Sequence, residues 1–230
     1  MQPRSPGVGH ANGRFITLEG PDGAGKSIVA ESLAARLRGL GSAVTLVREP
    51  GGTALGEALR PILLDRGPAH APAADALLFN AARAQLLAEV VRPALARGRL
   101  VICDRYADST LAYQGYGSGV DLDQLRAVAA LATGGLTPDR TVLLDLPVEL
   151  GLERRLHGPA AERTRFEDDD RAFHERVRLG YLELAAADPG RWRIVDASRS
   201  PDRVLADVVA SVTDLVPPSE PMGVPGRTQV

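Results

Sequence analysis

Residues Gly20-Pro21-Asp22-Gly23-Ala24-Gly25-Lys26-Ser27 satisfy the pattern G-x-x-x-x-G-K-[ST] at every fixed position. The chemistry of such a run is capture of a polyphosphate. Glycines let successive backbone N–H groups turn toward one anion without interference from Cβ atoms. A helix beginning at the lysine adds the field of its N-terminus. Lys26 is the only lysine in the chain, whose remaining positive charge is arginine. A chain so biased toward arginine keeps a lysine where a wide planar guanidinium would not fit, as inside a wrapped loop. On this reading Lys26 lies between the β- and γ-phosphates, Ser27 ligates Mg²⁺, and Gly20, Asp22, Gly23, Ala24 and Gly25 form the cradle.

That loop has meaning only between a strand and a helix, and the surrounding pattern supplies both. Short apolar runs at Phe15–Glu19, Ala43–Val47, Leu100–Asp104, Thr141–Leu146 and Arg193–Val195 read as strands buried on both faces. Helical patterns are expected over 26–38, 53–65, 72–97, 121–132, 147–156, 168–187 and 201–214. Pro93 should kink or break the third of these. The alternation predicts an α/β protein of three layers, a five-stranded parallel sheet with helices on both faces, in the P-loop NTPase manner. In such a sheet ligands bind beyond the carboxyl ends of the strands. One domain is expected over residues 14–215, with Pro/Gly/Ser-rich tails at 1–13 and 216–230.

Composition narrows the partners. The formal net charge is −2, which argues against a sequence-independent nucleic-acid binder. No apolar run is long enough to span a bilayer, and the first residues lack the apolar centre of a secretion signal. A cytoplasmic setting, with neither nucleic acid nor membrane as partner, is the expectation. The single Cys103 excludes an internal disulfide and lies in an apolar run, as a packed core thiol would. A phosphate-binding loop is shared by GTPases, ATPases and kinases, so the acceptor must be read elsewhere.

Further segments follow in a specific order: Phe15-Ile16-Thr17-Leu18-Glu19-Gly20-Pro21-Asp22-Gly23, then Arg48-Glu49-Pro50-Gly51-Gly52-Thr53, then Leu78-Phe79-Asn80-Ala81-Ala82-Arg83. Asp104-Arg105-Tyr106, Ser109-Thr110-Leu111-Ala112-Tyr113-Gln114-Gly115 and Asp196-Ala197-Ser198 complete the series. From about Phe15 to about Val212 the chain resembles the thymidylate kinases. The resemblance implies phosphorylation of dTMP to dTDP by ATP with Mg²⁺, by a homodimer. It also implies a dTMP site formed by Asp22, Glu49, Arg60, Phe79, Arg83, Arg105, Thr110, Tyr113 and Gln114. Asp22 resembles the acid that meets the sugar 3′-hydroxyl, Arg60 the second phosphate contact, and Tyr113 the ring that crowds the 2′ position. Thr110 and Gln114 resemble polar contacts to the base.

The residues themselves agree. Asp104 ends the third strand, where a carboxylate can hold Mg²⁺ through water. Arg105 follows at once, and a bidentate donor that is always charged suits a phosphate dianion. Phe79 and Arg83 are four apart on one helix and share a face. A ring there can stack on a base while the guanidinium donates to a carbonyl at its edge, which favours thymine or uracil over cytosine. Core packing of Phe79 is the alternative that the residues alone leave open.

An arginine-rich segment, about 154–167, joins two helical patterns and reads as a lid. Some thymidylate kinases carry an arginine within the phosphate loop; Gly23 stands there in this chain. It thus resembles the bacterial type, in which a lid arginine neutralises the transferring phosphoryl group. Arg165 is the best match, with Arg154 and Arg163 in reserve. Asp168-Asp169-Asp170 reads as an acidic helix start rather than a metal site. Ile28 stands where the family carries a hydroxyl residue that helps to bind the α-phosphate, so weaker use of ATP is expected. The rivals are a kinase for another nucleoside monophosphate or for a deoxynucleoside, and a weakly active nucleotide-binding regulator.

Overall fold

The structure is a computed structural model that describes residues 13–65, 70–157, 166 and 170–216. Five parallel strands form one sheet in the order β2-β3-β1-β4-β5. They are β1 (Arg14–Glu19), β2 (Val44–Arg48), β3 (Leu100–Asp104), β4 (Arg140–Asp145) and β5 (Trp192–Asp196). Each expected strand is present, displaced by a residue at most at either end. Nine α-helical segments accompany them among the described residues: α1 (Lys26–Gly39), α2 (Ala54–Leu64), α3 (Pro72–Leu86), α4 (Arg92–Ala96), α5 (Ala107–Thr110), α6 (Leu122–Thr133), α7 (Val148–His157), α8 (Arg171–Ala187) and α9 (Pro201–Val212).

Alternation along the strands divides the core in two. Ile16 and Leu18 of β1, Leu100 and Ile102 of β3, and Val142 and Leu144 of β4 face α1 and α9, where Leu33, Leu37, Val204 and Val208 cover them. Phe15, Val101 and Cys103 point the other way, against Leu86, Leu87, Val91 and Leu95. Leu143 and Trp192 meet Phe173, Val177 and Tyr181 of α8 on that same face. Burying each of these large side chains favours the fold by about 1.5–3 kcal/mol relative to exposure. Cys103 is a fully buried free thiol, as its apolar neighbours require.

Two departures from the pattern have local causes. Pro93 neither breaks nor ends its helix. The chain widens into a π turn over Leu87–Val91, in which the Arg92 N–H reaches back five residues to the Leu87 carbonyl. α4 then begins with Pro93 in its first turn, where a missing N–H costs little. The second departure is α5 and the π turn Leu111–Gly117 after it, helical structure that periodicity does not announce. Its buried side chains include Thr110, Tyr113 and Gln114, and Gly115 and Gly117 lower its helix propensity. Of the expected tails, only Gly13 and Val216 lie among the described residues. No helix among the described residues is long and apolar enough to cross a membrane.

Candidate active site

The parallel register fixes where the site forms. Leu18 of β1 pairs with Asp104 of β3, and Arg48 of β2 pairs with the same aspartate. The pairing runs one residue further on both sides: Arg105 N–H donates to the Leu18 carbonyl at 3.0 Å, and Glu49 N–H to the Asp104 carbonyl at 3.0 Å. The ends of β1, β2 and β3 thus bring the phosphate loop, Glu49 and Arg105 together.

Residues 20–25 leave β1 and enter α1 through glycines with positive φ. Gly25 caps the helix, so the N–H groups of Lys26, Ser27 and Ile28 are those of a free helix N-terminus. Lys26 is buried and folds over the loop, donating from Nζ to the Pro21 carbonyl at 2.8 Å. Burial, aided by the nearby Arg105, pulls its pKa from 10.5 down to about 8. Gly23 is packed against α7 so closely that a Cβ there would lie 2.1 Å from the Gly151 carbonyl oxygen. A Cβ on Gly151 would in turn lie 2.5 Å from the Asp22 carbonyl oxygen. Backbone meets backbone at this point, and no side chain fits on either partner.

Ser27 Oγ donates to Asp104 Oδ2 at 2.6 Å, while Asp104 Oδ1 is buried with no hydrogen-bond partner among the described residues. A hydroxyl beside a carboxylate with a spare oxygen is a hard-donor pair that fits Mg²⁺, an ion that takes few protein ligands alongside waters and phosphate oxygens. Among the described residues no cluster of three or more His, Cys, Asp and Glu side chains could hold a metal by itself.

Arg105 joins this loop to the rest of the pocket. Its Nη2 donates to Asp22 Oδ1 at 2.6 Å and to the Tyr113 hydroxyl at 3.2 Å, and its guanidinium lies 5.0 Å from the centre of the Tyr113 ring. Burial opposes ionisation of Asp22, but Arg105 and then Lys26 outweigh it and hold its carboxyl below the usual range. Asp22 Oδ2 is buried with no hydrogen-bond partner among the described residues.

Arg83 is 1% exposed and sits in a second network. Nε donates to Glu49 Oε2 at 2.9 Å, Nη1 to Asn80 Oδ1 at 2.8 Å, and Nη2 to the Tyr106 carbonyl and Thr110 Oγ1, both at 3.1 Å. A guanidinium carries five N–H donors, so the second hydrogen on Nη1 is left for a ligand. Burial pushes the Glu49 pKa up, and Arg83 counters that shift. Thr110 Oγ1 is thus the acceptor that orients one Nη2 hydrogen of Arg83. Gln114 is buried on the π turn that follows α5.

Phe79 is half-buried, 6.4 Å from Phe166 between ring centres, and Tyr113 meets Phe166 edge-on at 5.7 Å. Phe166 therefore lies against both expected walls of the base pocket. Arg60 is half-buried, donates to the Pro50 carbonyl at 2.7 Å, and is close enough to Asp104 and Arg105 to feel their charges. Arg165 and Arg163 lie outside the described residues. Arg154, the reserve for the lid role, donates to the Ala197 carbonyl at 2.9 Å, because the end of α7 packs over the turn after β5. Asp170 caps α8 through the Phe173 N–H at 2.7 Å, in keeping with the acidic helix start.

The residues that sequence reasoning missed are Glu19, Asn80, Ser109, Arg155 and Tyr181. Glu19 and Tyr181 are both buried, 162 residues apart, and bonded to each other. The charge of Arg155 helps to hold the Asp22 carboxyl below the usual range. Only Glu19, a carboxylate ending an otherwise apolar strand, carries a visible signal.

Comparison with known proteins fits this geometry. Residues 18–208 match the family described as Thymidylate kinase. A thymidylate kinase of Deinococcus radiodurans is 52% identical over 204 residues, covering 89% of this chain and 98% of the relative. One of Thermomicrobium roseum is 53% identical over 202 residues, covering 88% and 95%. The crystal structure of the thymidylate kinase of Ehrlichia chaffeensis superposes with a TM-score of 0.72 at 31% identity, over 86% of this chain and 98% of that one. With the phosphate loop, the strand order and the Asp104-Arg105 junction all in place, the chain belongs to the thymidylate kinase family.

Proposed function

We propose that this chain is an ATP-dependent dTMP kinase whose donor and acceptor sites meet at Asp22 and Arg105. The observation that carries this reading is their 2.6 Å ion pair, which ties the phosphate loop to the end of β3. The free N–H groups of α1 and Lys26 take the β- and γ-phosphates of ATP. Arg105 and Arg60 hold the acceptor phosphate in line for attack, and Asp22 Oδ2 accepts from the sugar. Ser27 and Asp104 would hold Mg²⁺, which neutralises charge between the phosphates. No covalent enzyme intermediate is needed; positioning and charge suffice. The remaining Nη1 hydrogen of Arg83 suits the O4 carbonyl of thymine, with Phe79 and Tyr113 flanking the ring. Arg165 is assigned the transferring phosphoryl group on the resemblance alone. A cytoplasmic setting remains part of this reading.

The reading includes a homodimer. α3 packs between α2 and α6, and their outward faces carry exposed Leu55, Ile62, Leu77 and Leu131. Such an apolar face suits a second copy of the chain. Light scattering on the eluting protein would give twice the chain mass; a monomer at micromolar concentration would remove the dimer from the reading.

The decisive experiment is an ADP-release assay across dTMP, dUMP, dCMP, CMP and AMP. dTMP should lead dUMP modestly, since a methyl-sized pocket discriminates by about 1–3 kcal/mol. dCMP should be much poorer, because its amino group would face the Arg83 donor. Turnover of CMP or AMP as fast as dTMP would leave a P-loop kinase but not a thymidylate kinase.

A further inference from the structure

Among the described residues Arg105 is the only non-glycine with a positive φ, 70°. Such a conformation is strained for a side chain with a Cβ and persists only where the surroundings over-determine it. Its own N–H is tied to Leu18, and the next N–H, of Tyr106, donates to Glu19 Oε1 at 2.7 Å. The other carboxylate oxygen, Glu19 Oε2, accepts from Ser109 Oγ at 2.6 Å and from the Tyr181 hydroxyl at 3.1 Å. Those two hydroxyls are 2.9 Å apart, and Arg105 Nη1 faces them at 3.4 and 3.5 Å, with the Gly20 carbonyl at 3.4 Å as its third acceptor. Each hydroxyl has one proton. With those protons directed to the carboxylate, directly or through one another, both oxygens turn lone pairs toward the guanidinium.

We infer that Glu19 and Tyr181 are positioning residues for Arg105, fixing the turn that carries it and the hydroxyl cradle behind its Nη1. Neither reaches the phosphate loop's free N–H groups or the pair formed by Ser27 and Asp104. The charges around Glu19 are consistent with this. Asp108 of α5 repels it but is neutralised by Arg191 at 2.6 Å, and Arg105, Lys26 and Arg83 act on it from other elements without a direct bond. Burial and Asp108 hold its pKa up at about 7. The carboxylate is therefore kept in place by neutral donors, and its role is to orient them. The inference rests on the reading of Arg105 as the acceptor-phosphate contact.

The test is steady-state kinetics with dTMP and ATP varied separately. The variants are Tyr181→Phe, Ser109→Ala and Arg105→Lys, and the double variant of Tyr181→Phe with Arg105→Lys. Tyr181→Phe keeps the buried ring and removes only the hydroxyl. It should raise the KM for dTMP about five- to tenfold, the scale of one ordinary hydrogen bond. The KM for ATP should stay within about twofold, and Ser109→Ala should act in the same sense. In the Arg105→Lys background Tyr181→Phe should have no further effect, because the fork it supports is gone. An unchanged KM for dTMP, equal changes for both substrates, or a full effect persisting in that background would overturn the inference while leaving Arg105 its role. If Arg105→Lys itself binds dTMP like wild type, the underlying reading of Arg105 fails instead. Glu19→Gln, which replaces an acceptor of three donors by an amide, should exceed Tyr181→Phe in effect; thermal melts establish that it folds.

Discussion

The donor and acceptor halves of the site are built on opposite plans. On the donor side the working groups are held provisionally. Lys26 lies on its own loop's carbonyl, and Asp104 Oδ1 is buried with no hydrogen-bond partner among the described residues. On the acceptor side Arg83 is almost fully committed to Glu49, Asn80, Tyr106 and Thr110 before any ligand arrives. The donor loop exchanges internal contacts for phosphate and metal, whereas the acceptor network is largely paired beforehand, with one Arg83 hydrogen, Glu49 Oε1 and Asp22 Oδ2 left to offer. It follows that damage to the acceptor network should register as lost stability, and damage to the donor loop as lost turnover.

The largest effect expected from this contrast is at Arg83. Arg83→Met strands the buried Glu49 carboxylate, and breaking a buried pair from one side costs about 3–5 kcal/mol. Denaturant unfolding should show that loss together with the loss of dTMP use; a variant of wild-type stability would erase the distinction between the halves. Lys26→Arg and Lys26→Ala come next. Both should lose about 10²–10³-fold in kcat, the scale for one preorganised donor to developing charge, with little change in melting temperature. Near-normal turnover by the arginine variant would show that a point charge is not what the loop requires.

Ile28→Thr should produce a smaller gain. Ile28 is 69% exposed in the first turn of α1, so the change sacrifices no core packing. A new hydroxyl at the helix N-terminus should tighten ATP by about 1–3 kcal/mol and leave acceptor preference alone. Unchanged KM and kcat for ATP would show that the backbone N–H groups already suffice. The smallest effect is one of pH. Free Lys26 titrates at about 8, and its charged form binds phosphate better. ATP binding above that pH should take up a proton, and the Kd should rise by up to about tenfold per pH unit. Calorimetry in two buffers of different ionisation enthalpy measures the uptake; its absence would place the lysine's titration elsewhere.

The same contrast explains what could be read from the sequence. The donor loop is eight consecutive residues whose types state their task, and its strand and helix follow from periodicity. The acceptor pocket gathers residues from the β2–α2 junction, α3, the turn after β3 and the π turn. Phe79 and Arg83 were legible as a pair because four residues make one helical step. That Arg83 would be met by Glu49, 34 residues away, required the sheet register. Tyr181 and Ser109, 72 apart, carry no local sign of their meeting. The helical run through 107–117 was hidden because its inward face mixes Asp108, Thr110 and Gln114 with Leu111 and Ala112, and two glycines lower its helix propensity. The helical pattern across 72–97 was legible, but the π turn that accommodates Pro93 leaves no mark in the hydrophobic pattern.

The contact between Gly23 and Gly151 has a consequence for how this family can diverge. The place where some thymidylate kinases keep an arginine is occupied here by the backbone of α7. Arginine at position 23 would require that helix to retreat, and α7 carries Arg154 and Arg155 toward the segment that holds Arg165. The two arrangements are therefore not separated by one substitution. A lineage moving between them must pass through a reshaped α7, and positions 23 and 151 should co-vary across homologues, glycine with glycine. A library aimed at position 23 alone would return misfolded or inactive chains, whereas one that also varies the start of α7 has a path open to it.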